Sequence, residues 1–223
     1  MAASQKRSIV VDLYEDFVCP WCRIGRANLA QAIEQWEGPP IFVRHRPFIL
    51  DPTIPPEGND FRAHMELKFD GRGDVDQIHA HVTEVGARSG LTFDFDKIRH
   101  APNTLRAHRL VELAPESERE AVAKELFDRY FEHGHNIGDI ELLAGIARNH
   151  GMDEQTAHNL YRGDAATSEI VESMRQAQQR GITGVPFFVF DDQYGVSGAQ
   201  PPEVLLQVLG MMGENGQEAI VHG

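Results

Sequence analysis

Cysteine is scarce in this sequence, with only two residues, Cys19 and Cys22, among 223. Two cysteines so close together exclude the framework of structural disulfides that stabilises many small secreted domains. Long apolar runs are also missing, because no stretch approaches the roughly 18 consecutive apolar residues of a membrane-spanning helix. The apolar stretch at Ser8–Tyr14 is interrupted by charge and is too short for the core of a signal peptide. We therefore expect a cytoplasmic protein.

Basic residues are outnumbered by acidic ones, 21 against 34, which gives a formal net charge of −13. A surface with this excess of negative charge repels the phosphates of nucleic acids and of anionic lipid headgroups. We therefore expect neither nucleic acid nor a membrane as a partner. Apolar residues make up 41% of the chain, which is enough to form the buried core of a globular protein of this length.

The pattern of apolar residues predicts α/β units at both ends of the chain. A strand at Ser8–Tyr14, a helix after Cys22 and a strand at Ile41–Phe48 form a β-α-β unit near the N-terminus. The last quarter of the chain predicts an α-β-β-α unit, with elements at Ala165–Arg180, Val185–Phe190, Tyr194–Gly198 and, after Pro201, Val204–Leu209. Between these units the sequence predicts only helices, at Phe61–Phe69, Val75–Arg88, Thr104–Leu113, Ser117–His133, Ile140–His150 and Glu154–Tyr161.

A CPWC motif, Cys19, Pro20, Trp21 and Cys22, lies where the first predicted strand gives way to a helix. Cysteines three positions apart in the first turn of a helix lie on one face, and the positive end of the helix dipole stabilises a thiolate there. This arrangement suits thiol–disulfide exchange, in which Cys19 attacks a disulfide and Cys22 resolves the mixed disulfide that forms. Pro20 suits the first helical position, because no backbone donor is lost there.

The alternative for the cysteine pair is half of a zinc site, which would need two further ligands. The sequence has no second CxxC motif. Its closely spaced histidines, His79 with His81 and His133 with His135, are two positions apart, and neighbours at that spacing on a helix point away from each other. We therefore predict redox chemistry and no metal site.

Four motifs give the chain a family resemblance: Asp16–Cys22, Pro47–Pro52, Asn103–Arg109 and Gly181–Phe188. With them the sequence resembles the DsbA-like oxidoreductases of the thioredoxin superfamily that carry a helical insertion, and most of all their FrnE-like branch. The resemblance implies a thioredoxin-like fold of class α/β, β-α-β and α-β-β-α, interrupted by a large all-helical insertion. We accordingly expect a thioredoxin-like domain at 8–58 and 164–212, a helical insertion at 59–163, and flexible tails at 1–7 and 213–223.

The resemblance also implies a second active-site element, a loop whose cis-proline lies against the cysteines. Thr183, Gly184, Val185 and Pro186 match this loop, with Pro186 as the cis-proline and Thr183 beside the nucleophilic sulfur. A proline that opens a strand leaves the backbone of the preceding residue, Val185, free to pair with an extended substrate segment. Trp21 stands where strongly oxidising DsbA proteins have a histidine, so we expect a less oxidising pair than theirs.

Three further residues, Asp16, Asn103 and His108, are candidates for substrate binding or proton transfer. Asp16, and with less reason its neighbour Glu15, lies near the motif, where a buried carboxylate serves thioredoxins as a proton shuttle. Acidic residues at the end of a strand are, however, usually solvated. By resemblance, Asn103 and His108 lie in a segment that packs over the motif. Their alternative roles are a cap for the helix that begins at Thr104 and a surface position, respectively.

These observations predict a thiol–disulfide oxidoreductase that acts on protein or small-molecule thiols and disulfides, as a monomer or homodimer. It needs no cofactor besides its cysteine pair, although glutathione is a candidate co-substrate. Disulfide reductase, isomerase and dithiol oxidase activities all stay open. The alternative is a glutathione-dependent isomerase or transferase resembling 2-hydroxychromene-2-carboxylate isomerase or kappa-class glutathione transferases, although these enzymes usually carry serine at the position of Cys19. A third hypothesis is a binding module whose role does not depend on the cysteines.

Overall fold

The computed structural model describes residues 8–218, apart from 71–72, 154, 157–158 and 161–162. Its strands are β1 (Ile9–Glu15), β2 (Ile41–Pro47), β3 (Asn59–Asp60), β4 (His100–Ala101), β5 (Phe187–Phe190) and β6 (Tyr194–Ser197). Its helices include α1 (Pro20–Glu34), α2 (Phe61–Lys68), α3 (Val75–Arg88), α4 (Leu105–Leu113), α5 (Arg119–Phe131), α6 (Ile140–Asn149), α7 (Thr167–Gln179) and α8 (Pro202–Glu218). None of the helices in this described part of the chain is long and apolar enough to cross a bilayer.

Four strands form the central sheet, in the order β2-β1-β5-β6. β1 runs parallel to β2, because the connecting helix α1 carries the chain back to the end of the sheet at which β1 begins. β1 is antiparallel to β5, which in turn pairs antiparallel with β6. β1 therefore has a partner on each side, and six of its seven residues are buried. Burial on both faces explains why its sequence is an almost continuous apolar run.

Helices cover both faces of this sheet. On one face, Val11 and Leu13 of β1 pack with Leu29 of α1 and Leu205 of α8 in a shared core. On the other face, Tyr14 packs in a smaller core under α7. Successive residues of a strand point to opposite faces, so Leu13 and Tyr14 fall into different cores although they are neighbours in sequence.

Helices α2 to α6 enclose a further core of their own. Its buried side chains include Val82, Phe93, Leu110, Leu126, Phe131 and Leu143. Cys19, Cys22 and Phe17 belong to this core and not to the core of the sheet. The helical segment therefore packs directly on the face of α1 that carries the CPWC motif.

The structure shifts several predicted boundaries by a few residues and adds two short strands. β3 and β4 pair as a two-stranded antiparallel sheet, and strands of two residues are too short to produce a periodic pattern. Helix α8 continues to Glu218, past residue 212 where we placed the end of the domain, and no proline interrupts that stretch. The predicted tail residues 1–7 and 219–223, and parts of the predicted helix Glu154–Tyr161, lie outside the described residues. The division of the chain at 59 and 163 stays a prediction.

Candidate active site

Cys19 lies at the N-terminus of α1, where it is the N-cap residue with an extended backbone and Pro20 begins the helix. Its carbonyl oxygen accepts the amides of Cys22 at 3.1 Å and Arg23 at 3.3 Å, which closes the first turn. The unpaired amides of a first helical turn carry the positive end of the helix dipole, which stabilises a thiolate at this position. Cys19 keeps 5% of its surface exposed and Cys22 none, so Cys19 is the more accessible of the two cysteines.

Cys22 is fully buried one turn further along α1, and both cysteines are free thiols. Burial raises the pKa of the Cys22 thiol well above its ordinary value, and the neighbouring Cys19 and the charge of Glu15 raise it further. A backbone hydrogen bond from Asp16 acts in the opposite direction without compensating. Cys22 is therefore held as a neutral thiol, and it must lose a proton before it can act as a nucleophile.

The loop before β5 meets the cysteine pair. The peptide bond between Val185 and Pro186 is cis, as the resemblance implied. The thiol of Cys19 donates a hydrogen bond to the carbonyl oxygen of Val185 over 3.6 Å. The Pro186 ring packs against α1 at Gly25, where a Cβ atom would come within 2.9 Å of the proline Cγ. The chain thus brings the cysteine motif and this late loop together, with α1 as the element that both contact.

Two carboxyl groups at the end of β1 are buried, contrary to the usual solvation of acids at a strand end. Glu15 is 0% and Asp16 1% exposed, because helices α4 and α5 cover this end of the sheet. Oδ2 of Asp16 accepts the amide of Leu50 at 2.8 Å, and Oδ1 lies 3.4 Å from Nε2 of His108. His108 is itself fully buried, so the surface position considered for it is wrong.

Glu15 is the centre of a buried ionic cluster. Arg26 of α1 donates to both of its carboxylate oxygens, and Nδ1 of His45 on β2 lies 2.7 Å from Oε1. Burial alone would raise the pKa of Glu15, but the charge of Arg26 and the hydrogen bonds from His45 and Arg26 outweigh it and lower this pKa to about 2. Burial lowers the pKa of His45 below its ordinary value, despite the hydrogen bond to Glu15. At neutral pH, Glu15 is therefore a carboxylate and His45 a poor proton acceptor on its own.

A family model described as a DSBA-like thioredoxin domain matches residues 10–210 of the chain. The chain belongs to this DsbA-like family. The match confirms the predicted α/β fold class, and the inserted helices of the structure agree with it. It also confirms that the protein belongs to a family of thiol–disulfide oxidoreductases, whereas the FrnE-like branch stays a prediction.

Solved structures resemble this DsbA-like protein over most of its length. A probable DsbA oxidoreductase from Streptomyces coelicolor is 31% identical, with a TM-score of 0.82 over 91% of this chain and 89% of that one. A 2-hydroxychromene-2-carboxylate isomerase is 18% identical, with a TM-score of 0.67 over 96% and 100%. The cytosolic disulfide reductase DsbM from Pseudomonas aeruginosa, solved with GSH, is 16% identical, with a TM-score of 0.59 over 91% and 98%. The last two are so distant in sequence that they show a shared fold alone.

The remaining predicted site residues of the DsbA-like protein have different surroundings. Oδ1 of Asn103 accepts the amide of Leu105 at 3.0 Å, and its Nδ2 donates to the carbonyl of Ile54 at 2.7 Å. Asn103 therefore lies just before α4, whose N-cap residue is Thr104, and both roles considered for Asn103 stay predictions. Trp21 is half-buried against the helical core, and Thr183 and Gly184 are exposed before the cis-proline.

The described histidines of the helical segment have separate surroundings. His79 of α3 stacks between the rings of Phe61 and Phe95, whereas His81 lies beside Trp21, so the two histidines point apart as expected. Within the described ranges, no group of three or more His, Cys, Asp or Glu side chains is placed to hold a metal ion.

His45 and Arg26 belong to the surroundings of the site, but they were not among the residues predicted from the sequence. His45 stands in the sequence Arg44-His45-Arg46, which resembles an exposed charged strand, although its side chain is only 4% exposed. One sequence signal could have indicated its burial. The apolar run of β1 predicts a buried strand, and the strand paired with it, β2, must direct some of its side chains into the interior. Arg26 lies one turn after Cys22 on the same helix, and a charged residue on the face of a redox pair is a similar signal.

Proposed function

We propose that this DsbA-like protein catalyses thiol–disulfide exchange, with Cys19 as the nucleophile and Cys22 as the resolving thiol. The supporting observation is the contact of 3.6 Å between the Cys19 sulfur and the carbonyl oxygen of Val185. This contact joins a helix N-terminus that favours a thiolate to a loop that offers backbone groups to a substrate. The different burial of the two sulfurs supports the division of roles, because the more accessible one attacks first.

In the reductive direction, the Cys19 thiolate attacks one sulfur of a client disulfide. A Cys19–client bond forms, and the second client sulfur leaves as a thiolate. Cys22 then loses its proton and attacks the Cys19 sulfur, which releases the client and leaves a Cys19–Cys22 disulfide. An external thiol such as glutathione reduces this disulfide and completes the cycle. Oxidation of a client dithiol follows the same steps in reverse.

The loop around Pro186 is the proposed docking site for an extended client segment. In the free protein the Val185 carbonyl accepts the Cys19 thiol, and this acceptor becomes available when Cys19 bonds to a client. Thr183 and Gly184 are exposed beside it, so a client backbone can approach the loop. Trp21 lies in the same motif, half-buried against the helical core, and offers an apolar contact surface. Recognition through backbone groups suits protein clients of varied sequence.

Serine variants of the two cysteines test this proposal. Cys19→Ser should abolish the reduction of insulin disulfides, because the attacking sulfur is lost. Cys22→Ser should still attack once and should accumulate a mixed disulfide, which mass spectrometry detects under non-reducing conditions. Unimpaired turnover in either variant would contradict the assigned roles.

A glutathione-dependent isomerase or transferase is the second candidate, and the fold shared with 2-hydroxychromene-2-carboxylate isomerase favours it. The two functions differ in their need for Cys22, because activation of bound glutathione requires no resolving thiol. Tight glutathione binding and conjugating activity that survive Cys22→Ser would therefore support this second function. Loss of turnover in the same variant supports thiol–disulfide exchange.

A further inference from the structure

A line of buried polar groups runs from Asp16, beside the cysteine motif, to His45 on the edge strand β2. Oδ1 of Asp16 lies 3.4 Å from Nε2 of His108. Nδ1 of His108 lies 3.3 Å from Nε2 of His45, whose Nδ1 lies 2.7 Å from Oε1 of Glu15. These four side chains are at most 4% exposed. The ring of Phe17 packs on both imidazoles, at centroid distances of 5.4 and 4.7 Å, and shields them from solvent.

The three contacts of this line need three protons, but two neutral imidazoles supply only two. Glu15 is ionised and can only accept, so His45 carries a proton on Nδ1. A neutral His45 then has a bare Nε2, and His108 must donate to it from Nδ1. A neutral His108 is left with a bare Nε2 that faces the Asp16 carboxylate. Two lone pairs meet there unless one more proton is present.

Two buried atoms without hydrogen-bond partners lie where this additional proton would be needed. Among the buried side-chain atoms of the described residues, Oδ1 of Asp16 and Nε2 of His108 both lack a hydrogen-bond partner. They are the two atoms that lie 3.4 Å apart. Buried polar atoms are nearly always satisfied in folded proteins, so an unpaired couple at this distance points to a shared proton.

We propose that the line from Asp16 through His108 and His45 to Glu15 holds one extra proton and exchanges protons with Cys22. The inference of the proton rests on the contacts and on the two unpaired atoms. Its use by Cys22 rests on the proposed function. Asp16 is the end of the line nearest the chemistry, because its carbonyl oxygen accepts the amide of Cys19 at 3.0 Å and its backbone lowers the pKa of the Cys22 thiol.

The extra proton has two resting places that use the same contacts. In the first, it lies on the carboxyl group of Asp16, which donates to His108, while His108 donates to His45. In the second, it lies on His45, which donates to both Glu15 and His108, while His108 donates to Asp16. The exchange moves one proton within each of two contacts and leaves every heavy atom in place. The line therefore suits conduction, and each arrangement satisfies every buried polar atom in it.

His45 is the residue of the line that borders a surface cleft. It lines a surface cleft of about 360 Å³ together with Arg26, Arg119 and Glu120. The side chain of Glu120 is 67% exposed and forms an ion pair with Arg26. Arg26 also donates to the carboxylate of Glu15. A proton on His45 thus has the Glu15 carboxylate as its counterion, close to a cleft that is open to solvent.

Other groups that face the line do not compete for the proton. Tyr130 of α5 lies near Asp16, and burial, followed by the charge of Asp16, raises the pKa of its phenol far above its ordinary value. Its hydroxyl donates to the carbonyl of His100 at 3.2 Å, so it stays a neutral donor. Arg26 is a permanent cation because its carboxylate partners raise its pKa despite burial. Cys22 is then the group that exchanges protons with the line during the reaction.

During resolution, the Cys22 thiol gives its proton to the carboxylate of Asp16, and the Cys22 sulfur bonds to the Cys19 sulfur. The Cys19–client bond breaks, and the client leaves as a thiolate with the electron pair of that bond. The line takes up that proton from Cys22, so the step balances. In reverse, a client thiolate opens the Cys19–Cys22 disulfide, and Asp16 returns a proton to the Cys22 thiolate. Positioned acid–base groups of this kind accelerate proton transfers.

The proton count can be tested without turnover. Histidine ¹⁵N NMR of the reduced protein at neutral pH reports which ring nitrogens carry protons, with His45→Asn and His108→Asn for assignment. Infrared difference spectra against Asp16→Asn report whether that carboxyl group is protonated. We expect an imidazolium at His45 or His108, or a protonated Asp16. Two neutral rings together with an ionised Asp16 overturn the proposal. Sequential assignment of the wild-type protein replaces the variants if one does not fold.

Single-turnover kinetics test the exchange with Cys22. We expect His45→Asn to form a mixed disulfide with a peptide disulfide at the wild-type rate and to resolve it about tenfold or more slowly, with a changed pH profile. His133→Asn, which changes an exposed histidine, is the matched control and should resolve normally. Wild-type resolution by His45→Asn across neutral pH overturns this exchange. Failure of the wild-type protein to form any mixed disulfide would instead reject the proposed function and leave the proton count to the spectra.

Discussion

Replacing Gly25 by alanine measures how tightly the cis-proline loop packs on α1. A Cβ atom at Gly25 would lie 2.9 Å from Cγ of Pro186 and 3.2 Å from Cζ of Phe188, which is fully buried. Alanine in a helix interior is more favourable than glycine by about 1 kcal/mol. Overpacking a buried contact costs about 1–3 kcal/mol. We therefore expect Gly25→Ala to lower the free energy of unfolding by about 0–2 kcal/mol, the difference of these two effects.

Gly210 in α8 provides the matched control, because a Cβ atom there would meet nothing within 4 Å. Gly210→Ala should gain the whole of about 1 kcal/mol, so the difference between the two variants isolates the contact with the loop. Urea denaturation of the reduced proteins, followed by circular dichroism, measures both values. A displaced Pro186 also moves the Val185 carbonyl, so Gly25→Ala should form the mixed disulfide more slowly than the control. Equal stabilisation of both variants and equal rates would refute the packing of this loop on α1.

Three further predictions concern single side chains. Burial alone would lower the pKa of His150, but two glutamate carboxylates outweigh it and raise that pKa. The stability that His150 contributes is complete below its unfolded pKa of about 6.5 and is lost as the pH rises through its folded pKa. The urea midpoint of the wild type relative to His150→Gln should therefore fall with rising pH, and a constant difference would contradict this. For His79, stacked between two phenylalanine rings, burial lowers the pKa. Unfolded chains take up the proton first, so the wild type should lose stability relative to His79→Phe as the pH falls below about 6.5, and parallel urea titrations check it. Trp21→His should stabilise the Cys19 thiolate and raise the reduction potential, measured against glutathione, towards the DsbA value of about −120 mV. A wild-type potential already at that value would count against a less oxidising pair.

The central part of the fold was predictable because its signals are local. The apolar run of β1 is continuous because both faces of the strand are buried. The CPWC motif follows it directly, and the spacing of Cys19 and Cys22 fixes their common helix face whatever packs around them. Pro186 could be placed because a proline before an apolar run can open a strand, and the resemblance added its cis bond.

The buried polar line was not predictable in the same way. His45 and His108 are 63 residues apart in sequence and belong to a strand and a helix that no local pattern pairs. Asp16 follows a strand end, where acids usually meet water, and its burial depends on how the helical segment packs over the sheet. Burial of a charged residue is a property of the tertiary structure, so local propensity gives the opposite expectation for this residue. Asp16 and His108 were predicted as separate candidate residues. Only the contact between them shows that both belong to one buried polar line.

The packing of the helical segment explains why the two sulfurs differ and why a proton relay is needed. Cys22 lies in the core that the inserted helices enclose, and burial in that core is the main cause of its raised pKa. A resolving thiol that is harder to deprotonate needs a base that water cannot provide in a closed core. The same packing places His108 of α4 against Asp16, which supplies a buried route for the proton. The inserted helices therefore raise the pKa of Cys22 and also bring together the buried groups that take its proton. A variant that loosens their packing on α1 should weaken both effects.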